Sequence, residues 1–292
     1  MSSTDAALAS DPETWRIIND PGHGFLGNLC APAFQRYPYR GRVQFEDDFE
    51  RAYEATSDDS EWFIVSSVNA ETFSTEFLEA EEPPFSLWCA YDPTLELALV
   101  RMVNSIGHET AAGTFGNILQ EALIPTGMHR CLKSNESTPY HANVTDFGRK
   151  QPDKAWKPAR LPPDRSNKWP TAVLEVAYSE SSSKLQSDLR WWMRAPEGEV
   201  KTILTMRVSR NEPSIIIERW ESNDNGRSNC QQQVIISRGG NQNIITTGAP
   251  LVLYFERLFL RAPTVPRGRD IEIDTEKLEY LAESVWSEQG FQ

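Results

Sequence analysis

The chain has 292 residues, 39% of them hydrophobic and 24% charged, with a formal net charge of −13 at pH 7. That length makes one large domain or two ordinary ones, and nine Trp supply ample material for a core. The acidic balance repels polyanions overall, which excludes a protein that coats nucleic acid with its whole surface but leaves room for a local basic groove.

Cys30, Cys89, Cys131 and Cys230 are too far apart for a CxxC pair, so reduced thiols in an intracellular protein, nuclear or cytoplasmic, are expected. His23, His108, His129 and His141 have no zinc-site spacing. Met1–Glu13 is polar and lacks the apolar stretch of a secretory signal, and runs such as Leu251–Phe255 are far too short to span a bilayer.

In chain order, residues 1 to about 45 are rich in Pro, Gly and polar side chains and read as a segment that either wraps another surface or is partly mobile. Phe45–Thr56 reads as a short helix, and Trp62–Val68 as a strand by its aromatic and β-branched content. Leu87–Tyr91 and Leu95–Asn104 read as strands around the turn Asp92-Pro93-Thr94. Ala111, Phe115, Ile118, Leu119, Ala122 and Leu123 keep helical spacing up to Pro125 and Gly127. Met128–Leu132 reads as the start of a strand, Ser134–Asn143 as a loop, and the Pro-rich, basic Arg149–Lys168 as a further loop.

Thr171–Tyr178 is a β-rich run, Ser179–Ser183 a turn rich in capping residues, and Lys184–Arg194 a helix with Leu185, Leu189 and Trp192 on one face. Trp191 and Trp192 are expected to pack rather than to bind a ligand. Val200–Val208, Ser214–Trp220, Cys230–Ser237 and Leu251–Leu260 read as strands, with turns at Arg210–Pro213, Gly226 and Gly239-Gly240, and Thr275–Trp286 as a closing amphipathic helix. A strand-helix-strand step over 171–208 predicts a parallel pair with a right-handed crossover, hence an α/β or α+β chain with a mixed sheet.

Two carboxylates stand out. Asp153 follows Pro152 among basic residues, and Glu175 sits in an otherwise apolar strand between Leu174 and Val176. A charge there costs several kcal/mol (~3–5) if unpaired. Its partner is either a base such as Arg149 or Lys154, or a divalent cation shared with Asp153, since Mg²⁺ takes hard carboxylate oxygens. Residues 147–169 carry a net charge of +5, with Trp156 and Trp169 among the bases. Arg149, Lys154, Lys157, Arg160 and Lys168 there suit a phosphate backbone.

Taken in order, Pro152-Asp153, Glu175, Ser179-Glu180-Ser181 and the following helix resemble the PD-(D/E)XK nuclease superfamily, in particular Uma2-like proteins and related uncharacterised fungal proteins, over roughly 105–222. The resemblance implies a restriction-endonuclease-like core (99–222) with a mixed central sheet flanked by helices. An α+β extension (1–98) packs on that core, and strands and a terminal helix (223–292) follow it. It implies Mg²⁺- or Mn²⁺-dependent hydrolysis of DNA, less often RNA, with Asp153 and Glu175 as catalytic metal ligands. A helix carboxylate joins them, Glu109 beside His108 in preference to Glu121. The family's Lys two residues after the strand Glu is Ala177 here, so Lys150 or Lys184 is expected to supply that charge, with Lys154 or Gln186 as substitutes. Lys184 and Asp188 also have the ordinary reading of an i,i+4 pair. The alternative function is a binding or scaffold protein that kept the fold and lost the chemistry. A third reading makes the acidic flanks (1–100 and 223–292) a protein-interaction surface or an inhibitory cover over the site. The oligomeric state is left open, a dimer included.

Overall fold

Two mixed sheets position the two carboxylates. The structure, a computed structural model, describes residues 24–27, 29, 34–54, 61–102, 105–135, 138–142, 148–178, 182–222, 228–239, 243–264 and 268–291. The first sheet begins with β1 (Gln35–Pro38), helix α1 (Arg42–Glu54), β2 (Trp62–Ser66), β3 (Trp88–Asp92) and β4 (Leu97–Arg101). Helix α2 (Ile106–Leu123) leads to β5 (Leu132–Asn135), and the short strands β6 (Tyr140–His141) and β7 (Arg149–Lys150) return to the first sheet. Its order is β1-β2-β4-β3-β7-β6.

The second sheet takes β5 together with β8 (Lys154–Pro158), β9 (Ala172–Tyr178), β10 (Thr202–Val208), β11 (Ser214–Ser222), β12 (Ser228–Arg238) and β13 (Ile244–Thr247). Its order is β13-β12-β11-β10-β9-β8-β5, and helix α3 (Ser182–Arg194) joins β9 to β10. As expected from the strand-helix-strand step, β9 and β10 are parallel, whereas β8 and β9 are antiparallel. A ribbon of β14 (Leu251–Leu253) and β15 (Ile271–Ile273), with α4 (Phe255–Phe259) and α5 (Thr275–Glu288), completes the α+β arrangement.

Local chemistry explains most boundaries. Ser105 caps α2 by accepting from the His108 amide, and Asp274 caps α5 by accepting from Lys277. Asp92, fully buried, accepts backbone N–H groups from Thr94 and Leu95 and closes the turn read from the sequence. A third acceptance, from the Leu26 amide, ties part of the N-terminal segment down.

Three apolar layers result. Side chains of α2 and α5 pack on one face of β9–β12. Between the two sheets lie Trp169, Trp191, Trp192 and Trp220, with Ile64, Leu97 and Leu99. On the far side of the first sheet Phe45, Phe63, Phe73, Phe77 and Phe85 form an aromatic layer. A buried Trp is worth about 4–6 kcal/mol of gross apolar transfer, so the middle layer can carry costly charges within it. No helix among the described residues is long and apolar enough to cross a membrane.

Several expectations are corrected. Arg149–Lys168, read as loop, contains β7 and β8, because Ala155, Trp156 and Pro158 face inward while the lysines disguise the pattern. Met128–Leu132 is mostly a 3-10 turn (His129–Cys131) that precedes β5, and Ser134–Asn143 contains the end of β5 and all of β6. Leu251–Leu260 is not one strand. It breaks at Tyr254 into β14 and α4, where the Asp270 carboxylate accepts from the Phe255 amide. The helical turn Ala70–Thr72 with its π-helical continuation Phe73–Leu78, and the strands β13 and β15, were not expected. Cys30, Ser179-Glu180-Ser181, Gly226 and Gly240 lie outside the described residues.

Candidate functional site

Strand alternation decides where Glu175 points. Ala172, Leu174 and Val176 face the α2/α5 layer, so Val173 and Glu175 face the layer shared with α3. The pairing of Lys154 with Leu174 carries Asp153 to the register position opposite Glu175, one step past the last β8–β9 pair. The two carboxylates therefore share one end of the antiparallel pair, but each has its own set of partners.

The inner half surrounds Glu175. Its Oε1 accepts from the Trp192 indole, and Lys150 Nζ lies 3.2 Å from Oε1 and 3.3 Å from Oε2. The same ammonium is 2.6 Å from Asp188 Oδ1, and Asp188 Oδ2 is 2.7 Å from Lys184 Nζ. Lys184 in turn sits 4.6 Å from the centre of the Trp62 ring. Glu175, Lys150, Asp188 and Lys184 are each at most 3% exposed.

Burial pushes the Glu175 carboxyl up to about 8, with Lys150 pulling it back and Asp188 and Asp153 pushing the same way as burial. Burial would raise Asp188 too, but Lys150 and Lys184 outweigh it and hold that carboxyl below its ordinary range. Lys150 and Lys184 are both raised: burial opposes their charge, and Asp188, joined by Glu175, outweighs burial.

The outer half surrounds Asp153. Its Oδ1 accepts from Arg101 at 2.9 Å, its Oδ2 accepts from the Val176 amide at 2.7 Å, and His108 Nε2 lies 3.2 Å from that same oxygen. Glu109 Oε1 approaches Arg101 at 3.7 Å and His108 Nδ1 at 3.8 Å. Burial works against the His108 cation, but Asp153 and Glu109 reverse this and raise the ring to about 9. Burial would raise Asp153; His108, Arg101 and Lys184 instead hold it well below its ordinary value. The Arg101 guanidinium stacks 4.5 Å from the Trp62 ring centre, so one indole lies against a cation from each half.

The approach of α2 to this site depends on Gly107. A Cβ there would lie 2.6 Å from Cε2 of Tyr178 at the end of β9, and the Arg210 guanidinium packs 4.8 Å from that ring. Outside Asp153 opens a cleft of about 230 Å³ lined by Arg101, His108, Glu109 and Lys154 among others.

The structure thus brings Asp153, Glu175, Lys150, Lys184 and Glu109 together. Glu121 is exposed near the other end of α2 and stays apart. The basic residues are scattered: Lys154 lines the cleft, Lys157 Nζ donates to Asn167, Arg160 and Lys168 are exposed elsewhere, and Arg149 lies in β7. Sequence reading missed Arg101 and the partnership of Asp188 with Lys150. Nothing in the local sequence marks Arg101, but the Lys184–Asp188 spacing was visible.

A divalent cation does not fit the site as it stands. Mg²⁺ needs free carboxylate oxygens and several waters, yet the oxygens of Asp153, Glu175 and Asp188 already face donors. Four carboxylates (Glu109, Asp153, Glu175, Asp188) meet four cationic side chains (Arg101, His108, Lys150, Lys184), so the cluster has no negative excess to attract a further cation. Among the described residues no group of three or more His, Cys, Asp and Glu is placed to hold a metal ion.

No family model matches the chain, and no curated protein matches it. Among solved structures it is similar to a candidate nuclease belonging to DUF820 from Anabaena variabilis. The identity is 11% over 65% of this chain and 87% of that one, with a TM-score of 0.32.

Proposed function

We propose that this chain is a binding or scaffold protein that keeps the layout of a PD-(D/E)XK nuclease core and has neutralised the acidic centre with its own side chains. The layout is the antiparallel β8–β9 pair bearing Asp153 and Glu175, followed by the β9–α3–β10 parallel crossover. The observation that carries the reading is Lys150, 1% exposed, seated between Glu175 and Asp188. Its ammonium occupies the place where a cation shared by those carboxylates would have to enter, and expelling it would leave two buried carboxylates to be neutralised anew.

The test pairs calorimetry with Mn²⁺ against cleavage assays on plasmid and single-stranded DNA. The expected result is no Mn²⁺ binding, and no cleavage beyond that of Asp153→Ala with Glu175→Ala. A Mn²⁺ site lost in Asp153→Ala, or cleavage that the double variant lacks, would sink the reading.

One observation favours a second reading, a Mg²⁺- or Mn²⁺-dependent nuclease acting on DNA. Asp153 and the half-exposed Glu109 converge on Arg101 at the wall of an open cleft. With Arg101 swung aside and Lys150 withdrawn from Glu175, Asp153, Glu109 and Glu175 would hold the ion together. Bound there, the metal would supply an activated water, and Lys150 or Lys184 would offset phosphate charge. The same calorimetry separates the two readings.

A further inference from the structure

A second concave site lies at the far edge of the larger sheet. Its walls are the His129–Cys131 turn before β5, the loop that follows β8, and the C-terminal end of α4. They enclose about 940 Å³, in the range of pockets that bury a small organic ligand (roughly 300–1,000 Å³). The apolar lining comes from Pro158, Leu161, Pro162 and Phe259, and the charged lining is Arg130, Arg160 and Arg261, with no carboxylate among the lining residues.

Three features make this more than a depression in the surface. First, the walls are fixed by backbone bonds: Leu132 pairs with Pro158, and the Ala159 amide donates to the Cys131 carbonyl at 2.8 Å. Second, Leu260 has φ 55° at the end of α4, a left-handed conformation usually left to Gly. It lies between two lining residues, Phe259 and Arg261, and redirects the chain there. Third, Arg261 is held without being neutralised: its guanidinium lies 5.2 Å from the Phe255 ring centre, and its Nη1 reaches Thr264 Oγ1 at 3.5 Å. None of the three arginines has a carboxylate within ion-pair distance among the described residues. In a chain of net charge −13 such a group is a local inversion of the field.

Guanidinium forks match phosphate oxygens two at a time, and an apolar floor rewards an organic body attached to the phosphate. We propose that this cleft binds a phosphate ester with an apolar body, the chemistry of a nucleotide, either free or as a unit of a single nucleic-acid strand. The inference is independent of whether the Asp153–Glu175 cluster is inert or catalytic.

The test uses the full chain and three probes: AMP by calorimetry, a labelled short oligothymidylate by fluorescence anisotropy, and inorganic phosphate as competitor. Arg130→Gln with Arg261→Gln should weaken binding by roughly tenfold or more, and Arg160→Gln by less. Arg51→Gln, on α1, should leave binding unchanged, and unchanged thermal melts show that the variants fold. AMP binding supports a free nucleotide as the source, and binding of the oligonucleotide alone supports a strand. The proposal is overturned if neither probe binds, if the double variant binds as well as the wild type, or if inorganic phosphate competes as well as AMP.

Discussion

The buried cluster and the arginine cleft use charge in opposite ways. Around Glu175 and Asp153 four acids meet four bases, and most of these side chains are sealed from water. Around the cleft Arg130, Arg160 and Arg261 stand at a surface without a single acid among the lining residues. A charge balanced from within holds a fold in register, whereas a charge left unbalanced at an opening holds something else. A catalytic centre needs the second condition at the atoms that react, and Glu175 is in the first.

The comparison breaks most readily at Lys150. Lys150→Met should cost about 3–5 kcal/mol, because it leaves Glu175 and Asp188 buried without their shared cation. Urea unfolding measures this, and a loss under ~1 kcal/mol would mean that the inner cluster is not structural. Asp153→Asn should cost about 1.5–3 kcal/mol through the lost charge-assisted bonds. It should also return the His108 titration, followed by NMR, toward or below its ordinary value, since Asp153 is what raises it against burial.

Rising pH probes the same cluster more gently. Folding raises His108 from 6.5 to about 9 and Glu175 from 4.5 to about 8. Both groups hold protons more tightly when folded, so their contribution is complete below the unfolded values and is lost as pH rises through about 8 to 9. The melting temperature should therefore fall from about pH 5, where Glu175 begins to contribute, to about pH 9. Glu175→Gln keeps the shape and the Trp192 acceptor. It should change stability at pH 7 least, by about 1 kcal/mol, while flattening that slope, most of all below pH 6.5 where His108 does not yet contribute. A slope unchanged in this variant would assign the loss to His108 alone.

Much of the frame was legible because it is periodic or capped locally: α2 by its apolar spacing, β9 by its β-rich run, α5 by its amphipathic face, the Asp92 turn by its residue types. β8 was not, since Lys154 and Lys157 flank a buried Ala155-Trp156 in a segment crowded with proline. The +5 segment suggested one basic face. Strand alternation and the excursion of β7 into the other sheet distribute those side chains over different surfaces. At the site, Lys184 with Asp188 was readable from spacing alone. Lys150 reaching Asp188, and Arg101 reaching Asp153, depend on how two sheets stack, which no local pattern records. The arginine cleft joins residues 130, 160 and 261 and was invisible for the same reason.

Gly107 sets the clearance between α2 and the end of β9, and it has no functional group of its own. A methyl group at that position would act as a wedge. The Tyr178 ring in its path is covered by Arg210, which is itself tied to Glu61. The first turn of α2 would have to lift, taking His108 and Glu109 with it. Whether Asp153 is shielded by its helix or opened to water is thus controlled by a single carbon atom at a position that touches none of the charges it governs.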